Sequence, residues 1–142
     1  MQEERTRALA TARLVVLLIY VVCLIVFPPL GRLLGSQARM PPDGLRLLSL
    51  VLTVVAVAEY GSSLFLEQNL LSGRSSAAGS PSPAAAAIIV ASLGASIAIY
   101  GFVLALLGAA RWSMFFYALA LLHGLHLGLR WYRYERAARE GP

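Results

Sequence analysis

The feature that most constrains this chain is a series of four apolar blocks, each long enough to form a membrane-spanning helix. They occupy about residues 10–29, 46–66, 84–108 and 112–130 of the 142-residue sequence. A helix rises 1.5 Å per residue, so about 20 apolar residues cross a hydrocarbon core about 30 Å thick. A helix also satisfies its own backbone hydrogen bonds, which lipid requires. The pattern therefore predicts an all-α polytopic membrane protein with four transmembrane helices in one membrane domain.

The composition supports this prediction and excludes most soluble alternatives. Hydrophobic residues make up 58 % of the chain, charged residues only 13 %, and the mean hydropathy is +0.71. A soluble domain carries about 25 % charged residues. The net charge of +5 comes from arginines that flank the apolar blocks and do not form one patch. We therefore expect membrane lipids as neighbours and no nucleic-acid partner.

The distribution of arginine predicts how the four spans are oriented. Eight of the twelve arginines lie at the N-terminal end of the first span, between the second and third spans, or at the C-terminal end of the fourth span. The positive-inside rule places this richer side in the cytoplasm. The use of arginine to the exclusion of lysine, with abundant alanine, favours a GC-rich bacterial origin. We therefore expect a multi-pass protein of the bacterial inner (plasma) membrane with both termini in the cytoplasm.

The connections divide the spans into two antiparallel hairpins. Only residues 109–111 separate the third span from the fourth, which requires a tight turn between antiparallel helices. Residues 72–83 read SGRSSAAGSPSP, a composition typical of a flexible linker, and we place them in the cytoplasm. Pro28 and Pro29 are expected to end the first span.

The third span contains a regular seam of small residues, spaced alternately by four and three. Such a seam stays on one face of a left-handed supercoil, and small side chains let helices approach closely in lipid. The fourth span carries a second ridge of small residues. Both sets can pack within the hairpin, or against another subunit that is a copy of this chain or part of a larger complex. The residues are Ala87, Ala91, Gly94, Ala98, Gly101, Ala105 and Gly108 on the third span, and Ala120, Gly124 and Gly128 on the fourth.

Few polar groups lie within the spans, and each is a candidate for function. Glu59 lies in the second span, while His123 and His126 share a face of the fourth. Helix rise places Glu59 and His123 at the same depth, roughly 10 Å inside the cytoplasmic boundary, so they form a candidate proton or ion site. The alternative is that Glu59 bonds to a neighbouring helix and stabilises packing. Tyr100, about 24 Å from the cytoplasmic side, is expected to lie too far away to join them.

The sequence contains no recognised catalytic or metal-binding pattern. It has no nucleophile elbow and no phosphate-binding loop, and its one aspartate, Asp43, is expected to lie in the loop before the second span. Ser62, Ser63 and Ser96 are expected to bond to helix carbonyls or across helices. His123 and His126 with one glutamate offer too few donors to predict a metal site, and we expect no cofactor. We therefore do not expect an enzyme.

The tail over residues 130–142 is basic and amphipathic. Arg130 and Arg133 alternate with aromatic residues that include Trp131 and Tyr134. Aromatic rings lie at the headgroup level of a membrane, and arginines face anionic lipid there. We therefore expect these four residues to contact the lipid interface.

Residues 98–106 read AIYGFVLAL and resemble the outer helix of the proteolipid (c) subunit of rotary ATP synthases. That helix commonly reads A-I-Y-G-L-V, and the family packs its rings through helices rich in glycine and alanine. The resemblance implies close helix packing. In the family pattern the ion-carrying carboxylate comes three residues before the alanine of A-I-Y-G. Here that position is Ala95, so the resemblance does not extend to ion translocation.

Three functional hypotheses remain open at this point. The first is a small accessory or scaffold subunit that packs through the seam of the third span. The second is a proteolipid-like subunit that translocates protons or ions using Glu59 with His123. The third is a haem- or metal-binding membrane subunit that relies on the histidines.

Overall fold

The computed structural model describes residues 2–35, 40–71 and 83–140, and within them the side chains of residues 11–35, 40–68 and 85–132. Every regular element in these ranges is helical. The elements are α1 (Gln2–Val21), a π-helical turn (Val22–Val26), α2 (Phe27–Leu34), α3 (Pro42–Leu71), α4 (Pro83–Leu106) and α5 (Ala110–Glu140). The linker predicted over residues 72–83 lies outside the described residues except for Pro83, which begins α4.

Four helical stretches of the described chain are long and apolar enough to cross a membrane. They are Thr11–Leu34, Pro42–Gln68, Ala85–Leu106 and Ala110–Tyr132. The predictions of an all-α chain and of four such helices are therefore confirmed. α5 continues to Glu140, so the backbone of the predicted tail begins as part of the same helix.

The first apolar stretch differs from its prediction because Pro28 and Pro29 do not end the helix. They occupy the first turn of α2, where a backbone amide proton is not needed for the helical ladder. The π-helical turn lies directly before α2 and changes the hydrogen-bond spacing at the point where the prolines cannot donate. The apolar stretch therefore continues for 24 residues, to Leu34.

The helix α4 lies at the centre of the bundle. It packs against α1, α2, α3 and α5, and it is the main packing partner of both α1 and α3. Fully buried side chains line its length, with Ile97 and Leu104 on α4 facing Phe116 on α5 and Ala56 on α3. The arrangement of the bundle is therefore set mainly by the packing of the other helices on α4.

A short turn over residues 107–109 joins α4 to α5, which pack against each other. Gly108 has φ 86°, the left-handed conformation that glycine adopts without steric cost. The amide of Ala109 donates to the carbonyl of Leu104 at 2.8 Å, and the amide of Gly108 donates to that of Ala105 at 3.1 Å. These two bonds form a Schellman motif. Gly108, predicted as a seam residue, is therefore the exposed cap of α4.

Candidate functional site

Three groups of polar side chains connect the helices inside the apolar part of the bundle. Each group contains one residue of α3, namely Glu59, Ser63 or Glu67. Because these residues are spaced by four, they lie along one side of α3 with a rise of about 6 Å from each to the next. Their partners come from α1, α4 and α5.

The carboxyl group of Glu59 is held by two hydroxyl groups of α4. The Tyr100 hydroxyl donates to Oε1 at 2.7 Å, and Ser96 Oγ lies 2.6 Å from Oε2 and 2.7 Å from the carbonyl of Leu93. A hydroxyl group has one proton. Ser96 therefore donates either to a Glu59 carboxylate or to Leu93, and in the second case it accepts the proton of a neutral Glu59. The arrangement satisfies the carboxyl group in both protonation states.

The contact between Tyr100 and Glu59 corrects the prediction that these residues lie too far apart. α3 extends to Leu71, beyond the predicted end of its span, so Glu59 lies about 18 Å from that helix end. Tyr100 lies about 26 Å from the start of α4. Side chains lean toward the N-terminus of their own helix. Since α3 and α4 run in opposite directions here, the two side chains lean toward each other and close the gap.

His123 of α5 is 2 % exposed, and both of its ring nitrogens are engaged. The Tyr20 hydroxyl lies 2.5 Å from Nδ1, and Ser63 Oγ lies 2.8 Å from Nε2 and 2.7 Å from the carbonyl of Tyr60. All three contacts are hydrogen bonds when Tyr20 donates to Nδ1, Nε2–H donates to Ser63, and Ser63 donates to Tyr60. A neutral imidazole with both nitrogens satisfied thus connects α1, α3 and α5.

Two glycines provide the space for this contact. A Cβ atom at Gly94 of α4 would overlap both the Tyr20 hydroxyl and Nδ1 of His123. A Cβ atom at Gly124 of α5 would lie 2.9 Å from Cε1 of Tyr20. Any side chain at these positions would therefore displace Tyr20 or His123, because a packed interior has no free volume to absorb it.

Glu67 is a buried acid that was not among the predicted site residues. Its side chain is 3 % exposed, with Oε2 3.2 Å from Nε2 of His126 and Oε1 3.1 Å from Nε of Arg130. The Arg130 contact is an ion pair without hydrogen-bond alignment, so Oε1 accepts no hydrogen bond from the described residues. The spacing of four between Ser63 and Glu67 was the available signal, since it places the acid on the polar side of α3.

The structure does not bring Glu59 and His123 together. Glu59 bonds to Ser96 and Tyr100 on α4, whereas His123 bonds to Tyr20 and Ser63. Ser63 lies at the level of His123, one helical turn along α3 from Glu59, which is a rise of about 6 Å. The predicted pair therefore forms two separate polar sites. Ser63 and Ser96 each bond to a helix carbonyl and across helices, in agreement with the expectation, whereas Ser62 is exposed on α3.

The seam positions of α4 are largely covered by helices of this chain. Gly101 faces Ser113, Phe116 and Tyr117 of α5, and Ala105 is half-buried against α2, where a Cβ atom at Gly31 would lie 2.7 Å from its own. The seam positions that are buried are Ala87, Ala91, Gly94, Ala98 and Gly101.

The small residues of the ridge on α5 lie in three different surroundings. Ala120 is fully buried, but Gly124 lies against Tyr20 of α1. Gly128 is exposed, and among the described residues no atom outside its own helix backbone lies within 4 Å of where its Cβ would be. Each step of four residues rotates the side chain by about 40° around the helix axis. Gly124 and Gly128 therefore point progressively away from the direction of Ala120, toward a groove beside α1.

The residues predicted to contact the lipid interface are described only in part. Arg130 is 45 % exposed, and its guanidinium group binds Glu67 of the same chain. Trp131 is half-buried. The side chains of Arg133 and Tyr134 lie outside the described residues.

Metal-binding side chains do not cluster in the part of the chain that the structure describes. No group of three or more His, Cys, Asp or Glu residues there is placed to hold a metal ion. His123 already uses both ring nitrogens, and Nε2 of His126 binds Glu67.

Neither a scan against protein-family models nor searches of curated proteins and of solved structures find a match to this chain.

Proposed function

We propose that the chain is a small accessory or scaffold subunit of the bacterial inner membrane, with a structural and not an enzymatic role. It spans the bilayer four times as two antiparallel hairpins, and both termini lie in the cytoplasm. The observation that supports this role is that Glu59, Glu67 and His123 each bind side chains of other helices of this chain. Such contacts connect the helices of the bundle, and they engage the side chains that could otherwise act on a substrate.

The outer surface of the bundle is suited to lipid or to another membrane protein. Large apolar side chains are exposed along every span, among them Leu17 on α1, Val54 on α3 and Leu125 on α5. An apolar surface of this extent favours association or membrane insertion. Since most seam positions of α4 are buried, we propose that the seam packs the chain's own helices and that another subunit contacts the outer faces of α1, α3 or α5.

The polar contacts stabilise the bundle modestly and determine how the helices align. A hydrogen bond between membrane helices contributes about 0.6 kcal/mol on average, because the unfolded chain in lipid also finds partners. The main packing contribution comes from close approach at small residues such as Gly94 and Gly101. The polar groups then stabilise one alignment of α3 along α4 and α5. A uniformly apolar surface would not select a single alignment.

The test is purification of the tagged full chain in a mild detergent after extraction from its membrane. We expect a complex of fixed stoichiometry, with further copies of the chain or with a second membrane protein. Gly94→Leu inserts a side chain into the Tyr20–His123 contact and is expected to lose the complex. The matched control for folding is Gly61→Leu, at an exposed position with no described atom within 4 Å of its Cβ, which is expected to leave the bundle folded. A folded monomer without a stoichiometric partner would contradict the proposal.

A second candidate function is proton translocation, which the row of Glu59, Ser63 and Glu67 favours. Ionisable groups within membrane spans often mark proton relays. Glu59 can change its protonation state without losing its partners, as a relay group must. This candidate requires that Glu59→Gln abolish proton flux across a membrane that contains the folded protein, whereas the scaffold proposal requires no flux.

A further inference from the structure

We infer that the groove between α1 and α5 binds one acyl chain of an anionic phospholipid, with the phosphate near Arg13. This inference rests on the proposed placement of the chain in a membrane. The groove has a volume of about 290 Å³ and is lined mainly by apolar side chains, including Leu17, Leu24, Leu121 and Leu125. α1 and α5 both pack on α4, and the groove is the space that they leave between them.

The length of the groove matches one leaflet of a bilayer. It extends along α1 from Arg13 to Leu24, which is about 16 Å of helix. Half of a hydrocarbon core about 30 Å thick is about 15 Å. An acyl chain that lies parallel to α1 therefore fills the groove from the headgroup level to the middle of the bilayer.

The two ends of the groove differ in chemistry. Arg13, Trp131 and Tyr132 lie at the end near the chain termini, and Leu24 and Leu121 lie at the other. Arginine and aromatic side chains at one depth are typical of the headgroup region, where arginine attracts anionic lipid. The groove is thus amphipathic in the same direction as a phospholipid.

The middle of the groove is shaped to accept a narrow apolar chain. The ring of Tyr20 lines the middle of the groove. Because its hydroxyl group bonds to His123, the ring contributes an apolar surface to the groove. Gly128 leaves the wall open, since no atom approaches its Cβ position.

The chemistry of the groove favours a phospholipid over a helix from another protein, because the charged side chain of Arg13 lies at one end beside aromatic rings and the rest of the lining is mainly apolar.

The inference is tested by native mass spectrometry of the full chain in mild detergent with equimolar dioleoylphosphatidylglycerol and dioleoylphosphatidylcholine. We expect one retained lipid, with the anionic lipid favoured about fivefold, as expected for one arginine near an anionic headgroup. Gly128→Leu is expected to lose the retained lipid, because the added side chain fills the part of the groove in which the acyl chain packs. Gly61→Leu is the matched control and retains the lipid. Arg13→Gln is expected to remove the headgroup preference, and Arg13→Lys to keep it.

Equal lipid retention by the Gly128→Leu and Gly61→Leu variants would overturn the inference, as would a dimer whose formation excludes the lipid. If the Arg13→Gln variant kept the same preference for the anionic lipid as the natural chain, the assignment of the phosphate to Arg13 would also be overturned. Alkaline extraction of the membranes separates this failure from failure of the proposed function. A chain released by alkali is not an integral membrane protein, whereas an integral chain with an empty groove contradicts only the lipid site.

Discussion

The hydroxyl group of Tyr100 lies 2.7 Å from Oε1 of Glu59, so a phenol on α4 holds an acid on α3. Ser96 lies against the other carboxyl oxygen. An acid in the hydrocarbon region is costly unless protein groups replace its water. The hydroxyl groups of Tyr100 and Ser96 take the place of that water. The stability of a variant at position 59 should therefore depend on whether the new side chain can bond to both hydroxyl groups.

Glu59→Gln is expected to retain the fold. The glutamine carbonyl accepts from Tyr100, and its amide donates to Ser96, which then donates to Leu93 as it does beside a neutral acid. We expect a loss of stability below about 0.6 kcal/mol, the mean value of one interhelical hydrogen bond in a membrane. Glu59→Leu removes both acceptors and is expected to cost about 1–3 kcal/mol. Unfolding of the purified variants in mixed micelles measures both, and equal losses would contradict the prediction.

Gly94→Ala is expected to destabilise the bundle by about 1–3 kcal/mol, the range for overpacking a filled interior. The added methyl group overlaps the Tyr20–His123 hydrogen bond. Gly61→Ala provides the control, since it adds the same atoms at an exposed helical position and is expected to be neutral or stabilising by up to about 1 kcal/mol. The comparison uses the same micelle unfolding, and similar effects at both sites would show that the close approach at Gly94 is not tight.

Tyr20→Phe is expected to cost about 1 kcal/mol. The variant keeps the ring but leaves Nδ1 of His123 without its donor. Tyr132→Phe is the control, because Tyr132 is exposed on α5. Unfolding midpoints of the two variants that coincide would argue that the Tyr20 hydroxyl does not bond to the imidazole.

Glu67 and Arg130 are expected to be energetically coupled. A double-mutant cycle with Glu67→Gln and Arg130→Gln isolates their interaction from other effects of each substitution. We expect a coupling of about 0.5–1 kcal/mol, because the guanidinium group is partly exposed and the pair is screened. Additive effects within experimental error would show that the ion pair does not contribute.

The sequence allowed prediction of those features that are encoded locally. Four apolar helices and the short connection before α5 follow from hydropathy and chain length. The continuation of the first helix through Pro28 and Pro29 was not predicted, because it depends on a π-helical turn that no residue pattern in the sequence indicates.

The partners of the polar groups could not be predicted because they depend on how each helix is rotated about its axis. The first apolar block is apolar on all sides, so nothing local indicates that Tyr20 faces His123, 103 positions away. Glu67 lies at the boundary of the second apolar block, a position that is typical of a charged residue at the membrane interface. Its burial follows only from the positions of His126 and Arg130 on α5.

Proton flux into liposomes that contain the purified chain is the most direct test of a structural polar interior. A pH-sensitive dye inside the vesicles reports flux after a potential is applied, for the natural chain and for Glu59→Gln at equal amounts of folded protein. We predict that both give the flux of protein-free vesicles. A flux through the natural chain that Glu59→Gln abolishes, with the variant still folded, would contradict the structural account and establish translocation.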